Sequence, residues 1–321
     1  MSKGSSSRCS VRLGLVLAGL LVGLLVAEGI ARTQVHPAYH HHLHQRSEDP
    51  FLGIDLRPGA DFTFHGAWVR LEPTRVRVSA QGLRDRSFEL PKPTGARRLV
   101  CLGDSTTFGW GVEEDEGWCG RLESLLGPPW ETVNLGVPGQ NTSQEVRRLA
   151  TQGLRFEPDI VVLQHEEGDF EPPVDTSMVG TLPYAVVARS ALARLFIAAR
   201  ADGSTPFRED AGPGSPDTAP RGGGSGAAWD GAARLHEAFL ELAELGRSSG
   251  FEVLVFTAAP VDEVRQGLDR AGLAWLDVLP LLEGPPDEIF IPRDGHWTAE
   301  GHRRVAEAVA SDLHARGLIA P

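Results

Sequence analysis

The sequence predicts a three-layer, doubly wound α/β sandwich behind an N-terminal membrane helix. Five short apolar runs, at residues 98–104, 132–136, 159–165, 252–257 and 273–278, are continuous rather than alternating. Such runs suit strands buried on both faces, the condition of a parallel sheet covered by helices. Segments of helical character separate the runs, so each strand is reached through a crossover. An uncharged run of fifteen residues, LGLVLAGLLVGLLVA, lies close to the start of the chain.

The first segment is read from its charges. Lys3, Arg8 and Arg12 precede the uncharged run, which begins at Leu13. As a helix that run spans about 22 Å. A bilayer core is about 30 Å thick, so the span is expected to reach Ala31, with Arg12 and Glu28 at the interfaces. One reading is an uncleaved signal anchor, with residues 1–12 as a cytoplasmic basic tail and 13–31 as the transmembrane helix. The other is a cleaved signal peptide ending at the small-x-small triplet Gly29-Ile30-Ala31. Glu28 and Arg32 make a poor cleavage neighbourhood, which favours the anchor. Both readings export the remainder.

Residues 32–96 form a linker and lead-in. HPAYHHHLH, residues 36–44, holds five histidines. No cysteine or carboxylate completes a ligand set there, so it reads as a solvated linker and no metal is expected. Residues 51–93 carry short alternating stretches punctuated by Gly and Pro, the mark of a small β-rich unit packed on the main domain. That domain spans 97–321. Its expected helices cover 143–155, 179–201, 230–249 and 298–316. Residues 203–228 are too rich in Gly, Pro, Ser and Asp to bury a core and are expected to be a disordered insertion.

Composition excludes several classes. The net charge is −12; an acidic surface repels phosphate backbones, so no nucleic-acid partner is expected. Three cysteines make no disulfide scaffold and no zinc spacing. Cys101 lies in an apolar run and reads as an inert core residue. A Cys101–Cys119 bridge is neither required nor excluded.

Two stretches carry chemistry. In CLGDSTTFGWGV the first apolar run stops at Gly-Asp-Ser. That places Ser105 at the carboxyl end of a strand, where ligands bind in open α/β sheets. In IPRDGHWTAEGHRRVAEAV, Thr298 caps a helix whose apolar positions include Val305, Ala306, Val309 and Leu313. His296 therefore precedes a helix N-terminus, whose dipole disfavours imidazolium while Asp294 favours it. Asp294, Gly295 and His296 form one turn, so the carboxylate can reach Nδ1 and leave Nε2 for a serine. An oxyanion site needs N–H donors. The Ser105 amide is one candidate. The Gly136 amide is another, since a residue without Cβ lets a substrate approach.

Plainer readings stand beside these. Ser105 can be a helix cap, and His296 a packed loop residue. Asp104 reads as a loop-holding residue, and Trp110 and Trp297 as packing. His165, Glu166 and Glu167 sit at a strand end and read as substrate-facing or loop residues, with no metal.

Together these segments resemble the SGNH/GDSL hydrolases, which carry four sequence blocks on this flavodoxin-like fold. Gly103-Asp104-Ser105 resembles the first block, Gly136 the second and the Asp294–His296 segment the last. QGLRDRSFELPKP resembles the stretch before the first block in membrane-anchored bacterial members. The resemblance covers about residues 97–320. It implies a serine esterase without cofactor: Ser105 as nucleophile, His296 as base, Asp294 orienting it, and Ser105 and Gly136 as oxyanion donors. Two departures stand out. The third block is usually Gly-x-Asn-Asp, its asparagine a donor; here Gly168 precedes Asp169, and Asn141 is the substitute candidate. The acid–base spacing is Asp-x-His rather than Asp-x-x-His, which resembles SGNH-like O-acetyltransferases of exported polysaccharides.

The expectation is an envelope-facing esterase acting on acyl, chiefly O-acetyl, esters of a small molecule or polysaccharide. It is held by one span in a bacterial cell membrane, with the catalytic domain in the periplasm or outside. The alternatives are an O-acyltransferase acting on an exported polysaccharide, and a non-catalytic glycan-binding module.

Overall fold

The five apolar runs pair as one parallel sheet. The structure, a computed structural model, describes residues 3–34, 40–65, 71–173, 190–193 and 229–319. Two antiparallel pairs come first: β1 (His44–Arg46) with β2 (Ile54–Leu56), and β3 (Asp61–Phe64) with β4 (Thr74–Arg77). The main sheet follows: β5 (Arg97–Leu102), β6 (Trp130–Asn134), β7 (Ile160–His165), β8 (Glu252–Thr257) and β9 (Ala274–Asp277). Its order is β6-β5-β7-β8-β9, all parallel. The chain crosses β5 to start the second half of the sheet, so the switch point lies between β5 and β7.

The helices are α1 (Lys3–Gln34), the single turn α2 (Ser105–Phe108), α3 (Trp118–Leu126), α4 (Thr142–Arg148), α5 (Gly231–Ser249), α6 (Asp262–Ala271) and α7 (Ala299–Ala315). One core layer packs α4, α5 and α6 on the sheet through Val146, Phe239, Leu242 and Leu268. The other packs α3 and α7 through Trp118, Leu122, Val305 and Val309. All eight are buried, and burying a side chain of this size contributes about 1.5–3 kcal/mol.

The expected helix over 143–155 is shorter than its pattern. It ends at Arg148, then widens over Leu149–Gly153 and tightens over Leu154–Phe156. Glu157, in the left-handed region at φ 52°, turns the chain toward β7. Of the expected helix over 179–201, only 190–193 lies within the described residues; the insertion at 203–228 lies outside them. The patterning overlooked α3 and α6.

Cys101 and Cys119 form a disulfide between β5 and α3, with a sequence separation of 18. A closed loop of that length stabilises a fold by about 3 kcal/mol in the chain-entropy account. The core cysteine is therefore a structural crosslink.

The helix α1 holds one stretch, Arg12–Arg32, long and apolar enough to cross a membrane. Its far end touches the rest of the chain. Glu28 accepts hydrogen bonds from Ser190 Oγ (2.9 Å), Ala191 N (2.9 Å) and Leu192 N (3.1 Å). The lead-in packs against the main domain. Arg148 donates to Ile54 O (3.0 Å) and Asp55 Oδ1 (2.7 Å). Gln144 reaches the Phe51 and Leu52 carbonyls (3.1 Å each). An apolar cluster joins Leu43, Phe64, Leu71 and Val76 to Phe108, Trp110 and Val137 of the main domain.

Candidate active site

Two loops meet above the switch point. The first leaves β5 through Gly103, whose φ of 154° excludes a side chain. A Cβ there would lie 2.0 Å from Thr107 Oγ1 and 2.6 Å from Gln164 Oε1. Asp104 caps the turn that follows, its Oδ1 accepting from Thr106 N at 3.0 Å. Thr107 Oγ1 locks that turn to the sheet, donating to Gln164 Oε1 (2.8 Å) and accepting from Trp118 Nε1 (3.2 Å). Ser105 opens the turn, with its hydroxyl on the rim.

The second loop runs from Phe290 to Thr298. Ile291 N donates to His296 O (2.7 Å), and Asp294 N and Gly295 N both donate to Ile291 O (3.1 and 3.0 Å). Thr298 caps α7, accepting from Gly301 N at 3.3 Å. This small closed loop presents Asp294 and His296 from one side.

The separation in sequence then disappears. His296 Nε2 lies 2.7 Å from Ser105 Oγ, and His296 Nδ1 lies 2.5 Å from Asp294 Oδ1. Asp294 accepts only a proton on Nδ1, so this tautomer leaves Nε2 as acceptor for the serine hydroxyl. The Asp294 side chain is 1% exposed and that of His296 26%. The carboxylate is shielded while the imidazole remains reachable.

The oxyanion candidates are arranged differently. Gly136 N donates to Asn134 Oδ1 at 2.9 Å, so its amide is already engaged. A Cβ on Gly136 would lie 2.3 Å from Phe108 N. The glycine is required here by the backbone of α2 packed against it, and its amide reaches an oxyanion only by releasing Asn134. Asn141 serves a cap: its Oδ1 accepts from Gln144 N (3.2 Å) and its Nδ2 donates to Glu171 O (3.0 Å). Both ends of that side chain are tied to α4 and the neighbouring loop. The Ser105 amide, at the start of α2, is the remaining candidate of the three.

Of three further readings, that of His165 is corrected, that of Trp297 as packing fits its place, and that of Trp110 is extended. His165 is fully buried, with Nδ1 2.9 Å from Thr257 Oγ1. Burial lowers its pKa to about 3, so it is a neutral core residue, not a substrate-facing one. Trp297 lies in the core beside Phe256. Trp110 does more than pack. Its Nε1 donates to Asp294 Oδ2 at 3.3 Å, and its ring stacks on His296 at 5.3 Å and 25°.

The comparisons with known proteins divide along the same two loops. Residues 101–165, which include Ser105, match the family model described as GDSL-like lipase/acylhydrolase. Residues 244–320, which include Asp294 and His296, match the SGNH hydrolase-like domain of the acetyltransferase AlgX. Both segments resemble the SGNH/GDSL hydrolases. Similar solved structures include TesA, at 17% identity over 70% of this chain and 100% of that one, with a TM-score of 0.44. A lipase/acylhydrolase from Enterococcus faecalis is 14% identical over 70% of this chain and 98% of its own, with a TM-score of 0.41. No curated protein matches the chain by sequence.

Beneath the serine of this SGNH-like domain lies a group of shielded acids. Glu166 accepts from Thr106 Oγ1 (3.4 Å) and Gln164 Nε2 (3.2 Å). Asp169 Oδ2 accepts from Thr142 Oγ1 (2.9 Å) and Glu166 N (3.0 Å). Glu145 is buried with neither carboxyl oxygen hydrogen-bonded. Burial, then the charge of Asp104, pushes Asp169 up to about 8. Burial first, and the neighbouring acids after it, also raises Glu145 and Glu166 well above the usual range. Among the described residues no three His, Cys, Asp or Glu side chains are grouped so as to hold a metal ion.

These raised values set a sign for stability. A carboxyl that holds its proton more tightly when folded stabilises the fold below its unfolded pKa. That contribution is lost as pH rises through the folded value. For Asp169 the window runs from about 4 to about 8. The thermal midpoint is expected to fall between pH 5 and pH 9. Asp169→Asn keeps an acceptor for Thr142 and Glu166 N but does not titrate, so its midpoint should vary less with pH. Equal slopes for the two proteins, measured by calorimetry, count against this account.

Gly168, where the family has asparagine, meets open space: no atom lies within 4 Å of an added Cβ. Removing one oxyanion donor costs about 100- to 1,000-fold in turnover where it has been measured. Gly168→Asn is therefore expected to fold normally and to raise ester turnover about tenfold or more. An unchanged rate in a folded variant means that this position does not face the oxyanion.

Proposed function

We propose that the chain is a serine esterase acting on acyl, chiefly O-acetyl, esters at the cell envelope. The observation that carries this is the continuous line Ser105 Oγ–His296 Nε2 at 2.7 Å and His296 Nδ1–Asp294 Oδ1 at 2.5 Å. His296 takes the Ser105 proton as Oγ attacks the ester carbonyl carbon. The Ser105 amide donates to the tetrahedral oxyanion. The intermediate collapses, the alcohol leaves with the proton from His296, and an acyl group remains on Ser105. Water then gives its proton to His296 and attacks the acyl carbonyl, which frees the acid and restores the serine. Asp294 stays ionised and holds the ring.

A second reading exchanges the final water for a sugar hydroxyl. It is favoured by the match of residues 244–320 to the AlgX acetyltransferase domain and by the Asp-x-His spacing. The substrate would then be an exported polysaccharide. The glycan-binding alternative gives no reason for a serine within hydrogen-bond distance of a histidine.

In this proposal the chain divides into a basic tail (1–12), an anchor (13–31), a lead-in (32–96) and the hydrolase-like domain (97–321). The contact between Glu28 and residues 190–192 supports retention of the helix, because cleavage after Ala31 removes it. The domain then faces the periplasm or exterior of a bacterial membrane. A disulfide in the core suits that side, since cytosolic thiols are kept reduced.

The test is labelling of the full chain in detergent by a fluorophosphonate, beside turnover of p-nitrophenyl acetate. Labelling at Ser105 with turnover supports the enzyme. Folded protein that neither labels nor turns over rejects it. Addition of an acetyl donor and a glycan acceptor separates the two enzymes: acetyl found on the glycan identifies transfer, and free acetate alone identifies hydrolysis.

A further inference from the structure

We propose that Trp110 is a positioning residue of the Ser105–His296–Asp294 constellation, fixing the carboxylate through its indole N–H and the imidazole through its ring face. This rests on the reading of that constellation as a nucleophilic triad. Each carboxyl oxygen of Asp294 meets its own donor: Oδ1 takes His296 Nδ1 at 2.5 Å, and Oδ2 takes Trp110 Nε1 at 3.3 Å. Two donors on two oxygens define the plane of a carboxylate, and that plane aims Nδ1. With the imidazole ring 5.3 Å away at an interplanar angle of 25°, the indole also limits how far His296 can swing. One side chain thus restrains both partners of the serine. An imidazolium on the face of an indole is attracted by the ring quadrupole, so the contact strengthens as His296 takes up the proton.

Trp110 is itself held from the lead-in. It is 4% exposed, and the Phe64 ring meets it edge-on at 4.6 Å and 69°. Leu71 and Val76 complete the same cluster. On the other side, a Cβ on Gly111 would touch Ile291 at 2.5 Å, so the Trp110 loop and the histidine loop are already at contact distance. The β3–β4 pair, remote from the serine in sequence, thereby forms the back wall of the acid–base pair.

Four variants in the full chain test this against simple packing. Trp110→Phe keeps a ring over His296 and removes the N–H. Trp110→Leu removes both. Phe64→Leu loosens the back wall and leaves the triad untouched. Leu242→Ala weakens the α5 core layer, which contains neither Trp110 nor the triad, and serves as the packing control. Turnover of p-nitrophenyl acetate, the fluorophosphonate labelling rate and the thermal midpoint are measured for each. The expected result is a kcat about tenfold lower for Trp110→Phe and about 100-fold lower for Trp110→Leu, with KM within twofold of wild type. Phe64→Leu should show a smaller kcat loss. Leu242→Ala should lower the midpoint and keep its kcat. Labelling rates should follow kcat.

The proposal is overturned if Trp110→Phe keeps wild-type kcat, or if Leu242→Ala loses kcat in the same proportion to its midpoint as the Trp110 variants. Wild-type protein that neither labels nor turns over removes the triad reading itself, and this proposal with it. The two failures are therefore distinct: one leaves an active enzyme that does not need the indole, the other leaves no enzyme.

Discussion

Ser105→Ala and His296→Ala are each expected to lower p-nitrophenyl acetate turnover by about 10,000-fold or more, close to the uncatalysed rate. Each removes one half of a single proton-transfer unit, and groups that act as a unit are strongly non-additive. The double variant should therefore be no slower than either single one. The fold should not change: Ser105 is at the rim, 9% exposed, and His296 lies on a loop closed by backbone hydrogen bonds. Thermal midpoints within a few degrees of wild type are the necessary control. If turnover survives in folded Ser105→Ala, another group attacks the ester and the short Ser105–His296 contact is incidental.

Arg84→Ala is expected to cost about 3–5 kcal/mol of stability. For a domain of this size that lowers the thermal midpoint by roughly 10 °C. Arg84 is 1% exposed and, among the described residues, pairs with no carboxylate. It donates instead to the carbonyls of Phe108 (3.0 Å), Gly109 and Val112 (2.6 Å), in the turn directly after Ser105, and more weakly to Arg75 O (3.4 Å). Its guanidinium stacks on Phe108 at 4.8 Å. Burial lowers its pKa to about 10, against the raising influence of Glu114 and Glu113, so it remains a cation at neutral pH. Truncation leaves three shielded carbonyls without their donor. Arg84→Lys should recover little, since one ammonium cannot span three divergent acceptors as a planar fork does. Urea unfolding of the three proteins decides it. A loss below 1 kcal/mol for the alanine variant would mean that water replaces the guanidinium.

The fold was largely legible because its strands are buried on both faces. The run at 252–257 coincides with β8, and the runs at 98–104 and 159–165 end within two residues of β5 and β7. Continuous apolarity needs no partner to be recognised. The short helices were less legible. Trp118–Leu126 and Asp262–Ala271 are short, and their period rests on few residues: Trp118, Cys119 and Leu122 in one, and Val264, Gly267, Leu268 and Ala271 in the other. The widening after Arg148 follows from the chain's turn toward β7, which no local pattern encodes.

At the site, Ser105, His296 and Asp294 carry their chemistry in their residue types, and the loops bring them within hydrogen-bond distance. Gly136 and Asn141 were nominated by type as well, but their hydrogen bonds go to Asn134 and to the α4 cap. A glycine serves a backbone neighbour as readily as a ligand, and only the three-dimensional neighbour, Phe108, tells the two apart. Arg84 was overlooked, and Trp110 read only as packing, for the opposite reason. Their partners lie 184 and 24–28 residues away, so sequence proximity held no sign of them. The one available signal was the crowding of glycine around a tryptophan in Phe108-Gly109-Trp110-Gly111, since so large a ring between two glycines implies a close-fitting loop.

Between Gln34, where α1 ends, and His40, where the lead-in begins, a fully extended chain reaches no more than about 20 Å. With α1 read as an anchor, that bound keeps the domain in a shell over the bilayer. Encounter with substrate then becomes a problem in two dimensions. A polymer threading out of the same membrane passes through the shell at high local concentration, while a soluble ester in the bulk meets the enzyme only at the rate at which it collides with the surface. Lengthening the connection between Gln34 and His40 would dilute that advantage without altering any bond among Ser105, His296 and Asp294.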